Sequence, residues 1–160
     1  MKRDYATYQV ALKALLRRGD GKAVFLRLAD APRYLDLPGG RIDNVETKTP
    51  LAAILAREIR EELGARVRYR LGAPLFQFRR LVSSRNIYNF LTVYDAEFLG
   101  GDITLSFEHS AYEWLDPRTY AWKKSQFLSS EEYTAFSAFF TQVKKVKKSV
   151  YTQAMHVRVK

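Results

Sequence analysis

The sequence of 160 residues contains no cysteine. Disulfide bonds, thiolate metal ligands and a cysteine nucleophile are therefore excluded. No stretch approaches the roughly 18 uninterrupted apolar residues that a membrane-spanning helix requires. The N-terminal segment has positive charge but neither an apolar core nor a cleavage site. These absences predict a cytoplasmic protein with no secretory signal and no membrane partner.

Apolar residues make up 47% of the chain and charged residues 28%, a mixture that is typical of one globular domain. We expect that domain to span residues 1–148, followed by a basic tail or an extra strand at residues 149–160. The net charge is +10, of which residues 141–160 carry +6 without any acidic residue. This excess favours polyanionic partners such as nucleotides or nucleic acid. The alternative is a solvated tail that aids solubility.

Several segments have the composition and periodicity of β-strands. Residues 7–16 alternate between apolar and other positions, and a Gly-Asp-Gly turn separates them from an apolar run at residues 23–28. Aromatic and β-branched residues then dominate the segments at 67–82, 86–99 and 111–115. These segments predict a sheet built from both ends of the chain.

Two segments predict helices. Residues 51–63 form the first, with Thr49 as its N-cap and Pro50 in the first helical position. The second begins at Ser129, which has capping-box spacing to Glu132. Because strands precede, separate and follow the helices, the predicted class is mixed, α/β or α+β.

The first helix brings Glu58, Glu61 and Glu62 to the edge of its apolar side when it is drawn at about 100° per residue. The apolar side is predicted to contain Ala52, Leu55, Ala56, Ile59 and Leu63. Like charges three and four residues apart repel each other, and a divalent cation relieves that repulsion. Carboxylate oxygens suit Mg²⁺ or Mn²⁺. The pattern favours a metal site over the alternative, an exposed helix held by ion pairs such as Arg57–Glu61.

Two segments, Gly40 to Glu46 and Arg57 to Ala65, together resemble the Nudix box, G-x5-E-x7-R-E-U-x-E-E-x-G-U, in which U is a bulky aliphatic residue. The preceding Leu-Pro-Gly-Gly also resembles the usual entry to that motif. There are two departures from the family pattern. Ten residues rather than seven separate Glu46 from Arg57, and Ala65 replaces a larger aliphatic residue. The extra residues are predicted to lengthen the loop or to add most of a helical turn.

The resemblance implies the Nudix fold, a mixed β-sheet sandwiched between helices, and hydrolysis of a nucleoside diphosphate linked to another moiety X. It implies that Glu58, Glu61 and Glu62 bind Mg²⁺, or Mn²⁺ as a substitute, with the carbonyl of Gly39 and the carboxylate of Glu108 as further ligands. Glu58 is the implied general base, and Glu108 is the alternative. By the same resemblance, Arg57 orients the loop or a glutamate of the box, and Gly40 lets the backbone approach the phosphates.

Other residues are assigned to the substrate. Arg79 and Arg85 lie in or near a predicted hairpin, and their guanidinium groups suit phosphate; the alternative is a solvated loop. Tyr34 precedes the Pro-Gly-Gly turn and is the candidate for stacking on a base. His109 stands beside Glu108, and we expect it to be a neighbour without a catalytic role.

Three questions stay open at this stage. The enzyme could be an RNA 5′-end pyrophosphohydrolase, with the lysines of residues 144–148 holding the RNA backbone. It could instead be a non-catalytic module of the same fold that binds a nucleotide or RNA, although a pure binder has no need of three glutamates. A homodimer formed through residues 150–159 is a further alternative.

Overall fold

A computed structural model describes residues 3–145. The predicted tail or extra strand at residues 149–160 lies outside this range, as do Lys147, Lys148 and His156 of the basic C-terminal segment. None of the helices in the described part of the chain is long and apolar enough to span a membrane.

Six strands and two α-helices form within residues 3–145. In chain order they are β1 (Tyr8–Arg17), β2 (Ala23–Leu28), β3 (Leu35–Asp36), α1 (Leu51–Leu63), β4 (Arg68–Val82), β5 (Ile87–Gly100), β6 (His109–Leu115) and α2 (Ser130–Lys145). The sheet order is β3-β2-β1-β5-β4, and β6 pairs with β2. Strands β1 and β5 are parallel, and the other pairings are antiparallel. The predicted mixed sheet is confirmed.

The helices cover opposite faces of this sheet because side chains of a strand alternate between its two faces. On β1, Ala11 and Leu15 belong to a core that includes buried phenylalanines of α2. Leu12, Ala14 and Leu16 belong to a second core that includes the buried aliphatic residues of α1. The predicted arrangement of a sheet between helices is therefore confirmed.

The bounds of α1 agree with the prediction, but its cap and its buried side do not. Pro50, rather than Thr49, is the N-cap, and no side chain caps this end. The buried residues are Ile54, Leu55, Ile59, Glu62 and Leu63. The predicted core residues Ala52 and Ala56 are exposed instead. Compared with the prediction, α1 is rotated about its axis so that its longer aliphatic side chains face the sheet. These side chains fill the space against the sheet better than alanines do. The same rotation places Glu62 on the buried side of the helix.

One other element differs from the prediction. Strand β3 was not predicted from the sequence, and its two residues pair with β2. A strand this short leaves no periodic pattern in a sequence. The start of α2 agrees with its predicted capping, because the Glu132 amide donates a hydrogen bond of 3.1 Å to the Ser129 hydroxyl.

Candidate active site

An open cleft of about 1040 Å³ lies where α1, the Gly39–Gly40 loop and the start of β6 meet the sheet. Most of the predicted site residues line it. They are Gly39, Gly40, Arg57, Glu58, Glu61, Glu62 and Glu108. The three substrate residues Tyr34, Arg79 and Arg85 are not among its lining residues within the described part of the chain. Arg79 pairs at 3.0 Å with Glu131 of α2 instead.

The two glycines let the loop pack against both the sheet and α1. Gly39 has a φ of 126°, and a Cβ placed on it would lie 2.2 Å from the carbonyl oxygen of Leu12. A Cβ on Gly40 would lie 2.4 Å from a carboxylate oxygen of Glu58. The Gly39 amide donates a hydrogen bond of 2.7 Å to Glu62 Oε2. Any side chain at either position would therefore displace the loop or the glutamates that it contacts.

Arg57 joins the loop to the helix. Its Nε and Nη2 atoms donate to the two carboxylate oxygens of Glu46 at 2.7 and 2.9 Å. The same guanidinium pairs with Glu58 and with Glu61, each at 2.9 Å. The residues that lengthen the spacing after Glu46 form turns before α1 begins at Leu51, so they extend the loop rather than the helix. The longer loop still brings Glu46 to Arg57.

The glutamates of α1 differ in their surroundings. Burial raises the pKa of Glu62 to about 7, although the charge of Lys13 and the Gly39 amide act in the opposite direction. Burial also raises the pKa of Glu58, against the charge of Arg57. Glu61 remains exposed. The cleft therefore concentrates carboxylates in a place where ionising all of them is unfavourable without a cation.

Glu108 and His109 face these glutamates from the start of β6. One ligand atom each from Glu62, Glu108 and His109 lie within 4.8 Å of one another. The distance from His109 Nε2 to Glu62 Oε1 is 4.0 Å. Burial, and then the charge of Lys13, lowers the pKa of His109. The imidazole is therefore more readily neutral, which is the form that binds metal ions.

A second group of charges lies deeper in the same cleft, and the sequence analysis missed most of it. Lys13 Nζ donates to Asp36 Oδ2 at 3.0 Å, to the carbonyl of Leu37 at 2.9 Å and to the carbonyl of Gly39. Arg80 contacts Asp36 at 3.4 Å and also pairs with Glu132 of α2. The carbonyl of Gly39, predicted as a metal ligand, is thus already bound to an ammonium group.

The charges of Lys13 and Arg80 hold the pKa of Asp36 well below its usual range even though burial acts to raise it. One signal in the sequence was available for Lys13. It is a charged residue that stands between the apolar Ala11 and Leu15 on one side of β1. Nothing comparable marks its partner Asp36, because that partner is determined by the path of the loop.

The NUDIX domain family model matches residues 7–136 of the chain. No curated protein sequence matches the chain. Among solved structures, a MutT protein from Methanosarcina mazei is similar, with 24% identity and a TM-score of 0.70 over 89% of this chain and 99% of that one. A MutT NUDIX hydrolase from Burkholderia pseudomallei shares 23% identity, with a TM-score of 0.63 over 82% and 97% of the two chains.

An ADP-ribose pyrophosphatase from Streptococcus suis is more distant, with 15% identity and a TM-score of 0.57 over 86% of this chain and 93% of that one. At these identities the solved structures show a common fold. The family match spans most of the domain, from the start of β1 into α2. The chain therefore belongs to the NUDIX family and is a Nudix-type hydrolase that acts on phosphoanhydride bonds.

Proposed function

We propose that this protein is an Mg²⁺-dependent pyrophosphohydrolase, with Mn²⁺ as a substitute, that cleaves a nucleoside diphosphate linked to another moiety X. The observation that carries this proposal is the set of glutamates that line one cleft. Glu58, Glu61, Glu62 and Glu108 all lie there. Arg57 pairs with the first two. An anionic cleft repels a pyrophosphate, so a cation must stand between the two before they can bind.

The donor groups of the cleft fit a divalent cation. Carboxylate oxygens are the ligands that Mg²⁺ prefers. The carboxylates of Glu58, Glu61, Glu62 and Glu108 would hold the ion. The pKa of Glu62 is raised because its buried carboxylate lacks sufficient positive charge nearby, and a bound cation would supply that charge. When bound, the ion supplies charge neutralisation at the phosphate oxygens.

Glu58 is the proposed general base. Burial raises its pKa toward the working pH, which suits a group that accepts a proton from an attacking water. Arg57 contacts its carboxylate at 2.9 Å and so restrains its orientation. As water attacks, its oxygen bonds to phosphorus, its proton passes to Glu58, and the bridging P–O bond breaks. Glu108 is the alternative base, since it faces the same cleft from β6.

The cleft volume of about 1040 Å³ is large enough for a nucleotide. Gly40 remains a proposed substrate contact, because it lines the cleft. Tyr34, Arg79 and Arg85 remain proposed substrate contacts. Because they lie outside the cleft lining, they would touch only a part of the substrate that extends beyond it.

The test is a turnover panel with Mg²⁺ or Mn²⁺. The substrates are nucleoside triphosphates, oxidised nucleotides, ADP-ribose, nucleotide sugars, dinucleoside polyphosphates and 5′-triphosphate RNA. We expect the wild type to release a nucleoside monophosphate or a shortened phosphate end, and Glu58→Gln to release neither. Glu97→Gln is the matched control, because Glu97 pairs with Arg70 outside the cleft lining.

The same panel separates the alternatives. Turnover of 5′-triphosphate RNA in preference to free nucleotides would support the RNA 5′-end reading. Tight binding of one compound without turnover of any would support the non-catalytic module and would contradict this proposal. Turnover by Glu58→Gln at the wild-type rate would remove Glu58 from the role of base and leave Glu108 as the candidate.

A further inference from the structure

We propose that His109 is a nitrogen ligand of the cation site, together with Glu62 and Glu108, and that the site therefore prefers Mn²⁺ to Mg²⁺. The inference rests on the proposed function, which requires a bound cation, but it assigns a residue and a metal preference that the box glutamates do not imply. The sequence alone predicted His109 to be a neighbour without a role.

The first observation is the convergence of three ligand groups from two elements. Glu62 lies near the end of α1, whereas Glu108 immediately precedes β6 and His109 is the first residue of β6. The Gly39 amide occupies Oε2 of Glu62. The other oxygen, Oε1, lies 4.0 Å from His109 Nε2. Atoms about 2.1 Å from one octahedral ion lie about 3.0 to 4.2 Å apart, so this pair is spaced as two ligands would be.

The second observation is independent of the acidic residues. The side chain of His109 is only 3% exposed. Its Nε2 atom, the nitrogen that faces Glu62, makes no hydrogen bond within residues 3–145, because the 4.0 Å to Oε1 is too long for one. Buried polar atoms are normally satisfied, and an exception calls for a bound group that the protein chain does not supply. A metal ion on the imidazole accounts for a histidine held inside a cleft of carboxylates.

The third observation concerns the carbonyl of Gly39. The ammonium group of Lys13 donates a hydrogen bond to the carbonyl of Gly39. A carbonyl that already binds an ammonium is a poor ligand for a second cation, because the two positive charges would repel each other. The Gly39 carbonyl is therefore a weaker metal ligand than the resemblance implied. His109, at the start of β6, supplies a further ligand.

The chemistry of the imidazole gives the metal preference. Mg²⁺ binds almost only oxygen ligands in proteins, whereas Mn²⁺ accepts carboxylate oxygen and imidazole nitrogen together. Exchange of one oxygen ligand for nitrogen raises the affinity for Mn²⁺ relative to Mg²⁺. The remaining carboxylates keep Mg²⁺ able to bind, so the inference predicts a ratio of affinities rather than exclusion.

The experiment is pulsed electron paramagnetic resonance on the full chain loaded with Mn²⁺. We expect modulation from a directly bound ¹⁴N nucleus in the wild type, replaced by the ¹⁵N pattern when histidine is labelled with ¹⁵N. His109→Ala should lose the signal. His156→Ala should keep it, and it is a matched control because the chain has only two histidines. Absence of nitrogen modulation in the wild type, or its persistence in His109→Ala, would overturn the inference.

Metal competition gives a second readout. The ratio of Mn²⁺ to Mg²⁺ affinity should fall about tenfold or more in His109→Ala and remain unchanged in His156→Ala. An unchanged ratio in both variants would contradict the inference. Its failure differs from that of the proposed function: wild-type turnover without nitrogen modulation would overturn only the role of His109. A normal nitrogen signal without turnover across the panel would contradict only the pyrophosphohydrolase.

Discussion

The charges toward α2 and the charges on α1, which meet in one cleft, are balanced in opposite ways. On the α2 side, Lys13, Asp36, Arg80 and Glu132 form a buried group of two cations and two anions that pair with one another. On the α1 side, the single guanidinium of Arg57 is shared among three carboxylates, and Glu62 is buried beside them. The first group is balanced within the chain and the second is not.

The apolar cores on the two sides of the sheet also differ in composition. The core on the α2 side is rich in aromatic residues. The buried core on the α1 side is aliphatic. A balanced buried group needs no external partner and so points to a structural role, whereas an excess of buried carboxylates points to a cation from solution. The following substitutions test that distinction.

The largest expected effect is on catalysis. Glu58→Gln should reduce kcat by about 10²- to 10⁴-fold, because an amide cannot accept the proton of the attacking water. Steady-state kinetics with the substrate found in the panel measures this. The variant should unfold at the same or a higher denaturant concentration than the wild type, since it loses a carboxylate from a crowded anionic site. A strong loss of stability would instead mean that Glu58 belongs to the structural charges.

A structural charge should give the opposite result. Glu132→Gln should destabilise the fold by about 3 to 5 kcal/mol, because the buried cations Lys13 and Arg80 then share the single carboxylate of Asp36. Glu132 is 1% exposed. Denaturant unfolding measures the change. Glu131→Gln is its adjacent control, and breaking that exposed pair should cost no more than about 1 kcal/mol. Equal losses of stability in Glu132→Gln and Glu131→Gln would contradict the structural role of the buried charge group.

The contribution of Glu62 to the pH dependence of the free energy of unfolding should be of intermediate size. A carboxyl whose pKa is raised on folding contributes stability that is present below its unfolded pKa and is lost as pH rises through its folded pKa. Its rise from 4.5 to about 7 amounts to about 3 kcal/mol at most. The metal-free wild type should therefore lose stability between pH 4.5 and 8 relative to Glu62→Gln, as measured by denaturant unfolding at each pH.

Addition of Mg²⁺ or Mn²⁺ should restore the stability that the wild type loses at high pH. It should stabilise the wild type at pH 8 and have less effect on Glu62→Gln, which should also need more metal and turn over substrate far more slowly. If Glu62→Gln showed the wild-type rate and metal dependence, Glu62 would not be a ligand.

The smallest expected effect is at Arg79. Arg79→Ala should leave the midpoint of denaturant unfolding nearly unchanged, since its pair with Glu131 is exposed to solvent. The KM for a compact nucleoside triphosphate should also stay unchanged, because Arg79 does not line the cleft. A raised KM for a longer substrate alone would show that Arg79 contacts its distal part.

Local patterns predicted more of the fold than long-range contacts did. The bounds of α1 and the start of α2 could be read from periodicity and capping residues, which act within a few positions of each other. The rotation of α1 could not, because it depends on how its side chains pack against the sheet. For the same reason the burial of Glu62 was not predicted, although its place in the box was.

By itself the sequence determined the class of fold, the helix that carries the glutamates and the membership of the family, since all of these depend on short-range spacing. Only the tertiary structure decided which charges meet. Lys13 reaches Asp36 across 23 positions, and Arg80 reaches Glu132 across 52. Likewise, His109 comes to Glu62 only because β6 pairs with β2 beside the end of α1. Such pairs are set by the path of the chain through space, and no local pattern encodes that path.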